Sequence, residues 1–274
     1  MIDIKNVGYT YAAGTPFEKT ALRGINFSVS EGEFLAIAGH TGSGKSTLIQ
    51  IIAGLIDLQT GAVEVDGESV SVQTARRKIG IVLQYPEHQL FEETVAKDIA
   101  FGPRNFGLAE AEIAKRVEES MKFVGLELSL KDVSPFELSG GQKRRVAIAG
   151  ILALKPKYLI LDEPTAGLDP KARRNLLAEI KKLHRAGVTI IFVSHSMEDI
   201  ANLARRVAVL AQGKILFDGE PRKLFAQKEI LDAAGLLPPP VTQLMLELRR
   251  AGLNVDAGAI TLEEAEREIM RHLK

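Results

Sequence analysis

The chain has 274 residues, 46% hydrophobic and 26% charged, which suits one large domain, or one domain with a small appendage, around a real core. Lysine plus arginine equals aspartate plus glutamate at 35 each, so no overall basic field exists to attract nucleic acid. Cysteine is absent, which excludes disulfides and thiolate metal sites and fits a reducing compartment.

Met1-Ile2-Asp3-Ile4-Lys5 lacks the layout of a signal peptide. The longest strongly apolar stretch, Val146 to Leu154, falls far short of the roughly 20 residues that cross a bilayer, so any membrane span is expected from another chain. Ile2, Ile4 and Val7, then Ile25, Phe27 and Val29, predict two short strands around a polar loop at Ala12–Lys19. Tyr9 and Tyr11 close the first strand. Periodicity leaves two readings open there, cross-strand packing or the stacking of one ring on a nucleobase.

Phe34 to Ala38 is an apolar run of strand length, and Leu48, Ile51 and Ile52 have helical spacing. Between them lies Gly39-His40-Thr41-Gly42-Ser43-Gly44-Lys45-Ser46-Thr47. Three glycines in six positions let the backbone curl so that its N–H groups cradle phosphate oxygens. Lys45 brings positive charge to the β- and γ-phosphates, and the Ser46 hydroxyl can ligate Mg²⁺. Strand, glycine loop and helix N-terminus together form an anion site, so the chain is expected to bind a nucleoside triphosphate.

Gly61 to Gly67 alternates cleanly and predicts a strand of an antiparallel sheet, and Lys78 to Gln84 predicts a buried strand ending on Gln84. Tyr85-Pro86-Glu87-His88-Gln89-Leu90-Phe91 has no clear period and reads as a surface loop or a contact site on a loop. From Thr94 to Gly125 the pattern is helical, with Ile113, Val117, Met121 and Val124 on one face and a break at Pro103 and Gly107. Ser139 and Gln142 have capping-box spacing before Val146 to Leu154, and Gly140-Gly141 leave the first-turn N–H groups uncovered, a second candidate phosphate contact.

Tyr158 to Asp162, then Glu163, is a hydrophobic strand delivering two carboxylates to its tip. Beside a phosphate loop, such an acid holds Mg²⁺, and its neighbour can hold a water for attack on the γ-phosphate. Pro164 to Asp169 predicts a turn, and Pro170 starts a helix carrying Leu176, Leu177, Ile180 and Leu183. Val188 to Val193 predicts a core strand with Ser194-His195 at its end, where open parallel sheets bind ligands. Val207–Leu210 and Ile215–Phe217 predict a hairpin across Gln212-Gly213. Gly235 to Pro240 then reads as a stiff linker. Leu244, Leu248 and Ala251 mark one amphipathic helix after it. Thr261 and Glu264 cap another, carrying Leu262, Ala265, Ile269 and Leu273. This pair packs on its own domain or makes a subunit contact.

The order of these motifs resembles the ATP-binding cassette family over about residues 1–220. Gln84 matches its Q-loop glutamine, Leu138-Ser139-Gly140-Gly141-Gln142 its signature, Ala166-Gly167-Leu168-Asp169 its D-loop, and His195 its switch histidine. The resemblance implies an α/β phosphate-loop NTPase cassette: a mixed core sheet, an antiparallel β subdomain, a helical insert at about 94–150, and a small helical domain at 221–274. It also implies that Tyr11 stacks on adenine, that Ser46, Gln84 and Asp162 organise Mg²⁺, and that Glu163 orients the attacking water. His195 would contact the γ-phosphate. Since the chain carries two phosphate-facing elements for one complete nucleotide site, two copies placed head to tail would close each signature over the other's ATP.

The loop, Leu83 to Phe91, and Leu138 to Gly150 further resemble the ATPases of energy-coupling factor transporters. The Tyr85–Phe91 form and the Leu237-Pro-Pro-Pro-Val-Thr242 tail resemble the second of their two paralogous subunits. This implies an importer of vitamins or transition-metal ions, peripheral on the cytoplasmic face of the membrane. An identical or paralogous ATPase, with a heterodimer favoured, is implied as partner. So is a transmembrane coupling protein, touched through Tyr85–Phe91, where Glu87 would meet its arginines. A substrate-binding membrane subunit would be engaged indirectly. The alternative is the ATPase of a conventional importer or exporter.

Overall fold

A computed structural model describes residues 1–272; Leu273, expected on the last helix, lies outside the described residues. Strands β1 (Ile2–Tyr11), β2 (Lys19–Val29) and β3 (Phe34–Ala38), helix α1 (Lys45–Ile52), β4 (Thr60–Val65) and β5 (Glu68–Ser69) come first. Next follow α2 (Val72–Lys78), β6 (Ile79–Val82), α3 (Val95–Asn105), α4 (Glu110–Phe123), α5 (Gly140–Leu152), β7 (Tyr158–Asp162) and α6 (Pro170–Arg185). The last part holds β8 (Thr189–Val193), α7 (Met197–Leu203), β9 (Arg206–Ala211) and β10 (Lys214–Gly219). Helices α8 (Pro221–Phe225), α9 (Lys228–Ala234), α10 (Pro240–Arg250) and α11 (Leu262–His272) finish it. No helix among the described residues is long and apolar enough to cross a membrane.

The chain folds as two compact units, residues 1–71 with 191–274, and residues 72–190. In the first, β2-β1-β4-β5 form an antiparallel sheet in which Ile2 faces Val29 on one side and Val65 on the other. The alternation that predicted β4 is the burial of Val63 and Val65 against that sheet's inner face. β9 pairs parallel with β3, Ala208 beside Ile37, and antiparallel with β10. All five residues of β3 are buried, as the unbroken apolar run requires of a strand covered on both faces. Ala36 and Ala38 of β3 share a core with Val207, Val209, Leu224, Phe225, Leu231 and Leu236. The chain after residue 220 is therefore first drawn into this core, and Leu236 of the expected linker is part of it.

Beyond the prolines, α10 and α11 build a smaller core from Met245, Val255, Ala259 and Ala265. Here the sequence pattern misled. Met245 and Thr242 are the buried residues of α10; of the expected apolar set Leu248 packs on this core, while Leu244 and Ala251 point outward. The Thr242 hydroxyl donates to the Ala259 carbonyl at 2.8 Å, which turns a polar residue inward. Thr261 caps α11 as expected, accepting from the Glu264 N–H at 3.3 Å.

In the second unit β6 and β7 pair parallel, Ile81 beside Ile160. Ile113, Val117 and Met121 form the buried stripe of α4. Pro103 does not break the helical region; it sits inside α3, two residues before its end, forfeiting the one N–H bond to the Ile99 carbonyl, and Gly107 at φ +71° makes the break. Lys78 closes α2, so the expected strand begins one residue later and stops at Val82.

Candidate functional site

In the first unit the loop leaves β3 at Gly39 and enters α1 at Lys45. A side chain at Gly39, φ +151°, would put Cβ 2.2 Å from the Leu210 carbonyl oxygen; at Gly44, φ +108°, it would lie 2.5 Å from that of Ala21. The loop is thus pressed onto β9 and β2, and only glycine fits at either point. Gly44 caps α1 with no side-chain oxygen, so nothing of the cap covers the helix N-terminus. Lys45 is buried, and its ammonium donates to the carbonyls of Gly39 at 2.8 Å and His40 at 3.1 Å. The fully buried Ser43 hydroxyl has no hydrogen-bond partner, the one such side-chain atom among the described residues. A buried hydroxyl left unsatisfied in a glycine loop calls for a ligand oxygen.

Tyr11, 40% exposed, ends β1 beside this loop, its hydroxyl 3.0 Å from Thr47 Oγ1 on α1. Tyr9 meets it edge to face at 4.8 Å, so the packing reading describes Tyr9 and leaves the Tyr11 ring partly open to a planar ligand. His40 Nδ1 lies 2.7 Å from the Thr41 carbonyl, and Thr41 and Gly42 are exposed at the loop's crest. His195 follows β8, whose exit is fixed by the Ser194 N–H donating to Ile37 of β3 at 3.2 Å. The exposed imidazole therefore leaves the sheet at the end where the loop begins. Ser196 then caps α7 through the Asp199 N–H at 3.2 Å.

The second unit gathers the remaining motifs. Asp162 is the buried C-terminal residue of β7, and Glu163 beyond it holds φ +48°, a left-handed conformation that non-glycine residues rarely adopt. Tyr85, directly after the exposed Gln84, is likewise left-handed at φ +57°. It opens a 3-10 turn, Pro86–Gln89, in place of the expected irregular loop, and Tyr85, 46% exposed, and Phe91, 57% exposed, flank this turn. Phe91 packs edge to face on Phe101 at 4.8 Å.

Ser139 caps α5 through the complete capping box: the Gln142 N–H donates to its Oγ, and its own N–H donates to Gln142 Oε1 at 3.0 Å. Gly140 and Gly141 have open space where side chains would stand, so no packing within the chain demands glycine there. Asp169 caps α6, accepting from the N–H groups of Lys171 at 2.9 Å and Ala172 at 3.0 Å. The Ala172 N–H, then that of Lys171, hold its carboxyl below the ordinary carboxylate value against partial desolvation.

The sequence assigned no role to Arg144. It is buried on α5, three residues after Gly141, and its Nε and Nη2 donate to the two Glu87 carboxylate oxygens at 3.2 and 3.4 Å. Its Nη1 donates to the carbonyls of Pro164 at 3.2 Å and Ala166 at 2.6 Å. Glu87, expected to face a membrane partner, is thus engaged within its own chain. The only sequence signal was a third cation in Gln142-Lys143-Arg144-Arg145, and periodicity does not say which one turns inward. A cavity of about 490 Å³ lies alongside, lined in part by Gly141, Arg144, Leu161, Asp169 and Leu176. Of the apolar residues expected to bury α6, only Ile180 is fully covered.

Residues 22–166 match the ABC transporter family. The chain is 52% identical to the energy-coupling factor transporter ATP-binding protein EcfA2 of Clostridium tetani, covering 98% of this chain and 96% of that protein. The protein of the same name from Clostridium perfringens is 51% identical, covering 100% and 98%. Among solved structures, cbiO1 of Clostridium perfringens, described as part of the ABC transporter complex cbiONQ, superposes with a TM-score of 0.75 at 37% identity, covering 92% of this chain and 96% of its own. A dimeric ATP-binding cassette in a post-hydrolysis state, bound to ADP and Pi, gives 0.72 at 32% identity, covering 81% and 99%.

Proposed function

The chain belongs to the ABC transporter family of ATPases, and from that premise we propose that it is the ATP-hydrolysing, energy-coupling subunit of an energy-coupling factor importer for vitamins or transition-metal ions. The observation that carries this reading is the phosphate loop: two glycines that admit no side chain, a buried Lys45, and an unsatisfied Ser43 hydroxyl facing inward. Its extension to the energy-coupling branch is supported by identity of about half over the full length of relatives bearing that name.

In this reading the loop amides from Gly39 to Thr47, with Lys45, bind the triphosphate, and Tyr11 stacks on the adenine. The hydroxyl of Ser46, the amide oxygen of Gln84 and the carboxylate of Asp162 are all oxygen donors, the chemistry that Mg²⁺ takes, and these residues would hold it. The ion would neutralise charge on the β- and γ-phosphates. Glu163 orients the attacking water as general base, and His195 meets the γ-phosphate. Ser139, Gly140, Gly141 and Gln142 act on the ATP of a facing subunit. That role is supported by a capping box that fixes the helix end and by the open space over both glycines. Loss of the γ-phosphate removes contacts holding the pair closed, so hydrolysis reopens it.

The facing subunit is proposed to be a paralogue, and a transmembrane coupling protein is proposed to dock on Tyr85, Phe91 and Phe101, all exposed. Residues 221–274 are proposed to form a C-terminal domain that joins the two ATPases, anchored on the cassette through Leu224, Phe225, Leu231 and Leu236 and supported in its joining role by the outward Leu244 and Leu262. The complex would sit on the cytoplasmic face of the membrane. The test is the full transporter, co-purified and reconstituted. Glu163→Gln should bind ATP normally while hydrolysis and substrate uptake fall by about 10²–10⁴-fold. Undiminished turnover would refute the assignment, and co-purification with the subunits of a conventional importer would favour that alternative.

A further inference from the structure

We propose that Arg144 is a positioning residue that transmits the state of the Gln84–Gln89 segment to the Glu163 turn. This rests on the ATPase reading above and adds a residue to it. One planar guanidinium, carried on α5, reaches two other segments that carry site residues. Glu87, whose carboxylate takes the Nε/Nη2 edge, lies three positions after Gln84. Pro164 and Ala166, whose carbonyls take Nη1, lie one and three positions after Glu163. Arg144 itself stands one turn into the helix that opens with Ser139-Gly140-Gly141.

The contacts are directional. A fork that bonds a carboxylate along one edge and two carbonyls from another nitrogen has little rotational freedom, so moving one partner moves the others or breaks a charge-assisted bond in a buried place. Two of the segments it ties begin with a left-handed non-glycine residue, Tyr85 and Glu163, whose conformations persist only when their surroundings hold them. The cavity of about 490 Å³ beside Arg144 leaves part of the wall around Leu168 and Asp169 unpacked, so side-chain packing alone does not fix that turn. Lysine cannot replace this role, because an ammonium is a point donor and not a fork.

The experiment measures ATP hydrolysis by the reconstituted transporter with Arg144→Lys, Glu87→Gln and the double variant, alongside thermal melts. The wild-type KM for ATP should persist in every case. The kcat of Arg144→Lys should fall about tenfold to a hundredfold, as expected when a catalytic group is slightly misplaced. Glu87→Gln should lower kcat in the same direction, and the double variant should be no worse than the weaker single, because both break one linkage. A kcat at the wild-type level in both singles overturns the positioning role. So do additive losses, or a loss carried in KM. If Arg144→Lys fails to fold, the partly exposed Glu87→Gln decides alone by its kcat. Absence of turnover in the wild-type complex overturns the ATPase reading, and the inference with it.

Discussion

Replacing Gly39 by alanine tests the shape of the phosphate loop with one methyl group. The added Cβ would stand 2.2 Å from the Leu210 carbonyl oxygen and 2.7 Å from Ser43 Oγ, at a φ of +151°. Backbone strain for a non-glycine residue there costs about 1–3 kcal/mol. Forcing a methyl against backbone costs roughly another 1–3 kcal/mol. The sum, on the order of 2–6 kcal/mol, is a large share of the ~5–15 kcal/mol that stabilises a typical domain. At about 2–4 °C per kcal/mol for a chain of this size, the melting temperature should drop by at least ~4 °C unless the loop shifts away from β9. A shifted loop no longer presents its amides in register, so ATP affinity falls instead. Gly67→Ala separates the two costs, because Gly67 has φ +79° but no atom within 4 Å of its would-be Cβ. Differential scanning calorimetry and ATP titration of both variants give the answer. If Gly39→Ala melts with Gly67→Ala and binds ATP like wild type, the steric argument for the loop is wrong.

Ending the chain after Pro239 should leave folding and ATP binding intact while weakening subunit pairing in sedimentation. Ending it after Gly235 also removes Leu236 from the core of β3 and β9 and should lower the melting temperature, a large-to-nothing core deletion costing about 2–5 kcal/mol. Asp169 gives a pH signature. Its folded-state pKa is depressed, so its capping stabilisation is present above the ordinary value of 3.8 and is lost as pH falls through the lower folded value. The gap in urea midpoint between wild type and Asp169→Ala should therefore be open at neutral pH and close under acid. A gap that does not change with pH would mean that the carboxylate's charge is irrelevant to the α6 cap.

Most of the fold was legible because its signals are local. An apolar run between glycines gave β3, strict alternation gave β4, and Ser139 with Gln142 gave the cap of α5. The phosphate loop was legible for the same reason, since its shape is set by glycines within six positions. What escaped notice depends on contacts distant in sequence. Arg144 meets Glu87 across 57 positions, and no window of the chain contains both. The tail misled for a related reason: the inward face of α10 is Val241, Met245 and Leu248 with Thr242, whose hydroxyl is bonded to the Ala259 carbonyl 17 residues away, and Leu244 is left outward.

The empty space over Gly140 and Gly141 has a genetic consequence. No atom of the described residues outside the helix's own backbone lies within 4 Å of a Cβ at either position, so an alanine variant there should pass folding and escape the proteases that clear misfolded protein. It keeps the phosphate loop, which lies in the other compact unit, and is expected to load ATP and to assemble as the wild type does. On the proposed head-to-tail pairing such an allele would be dominant-negative, because each transporter that takes in one defective subunit would lose the closure over the intact subunit's nucleotide.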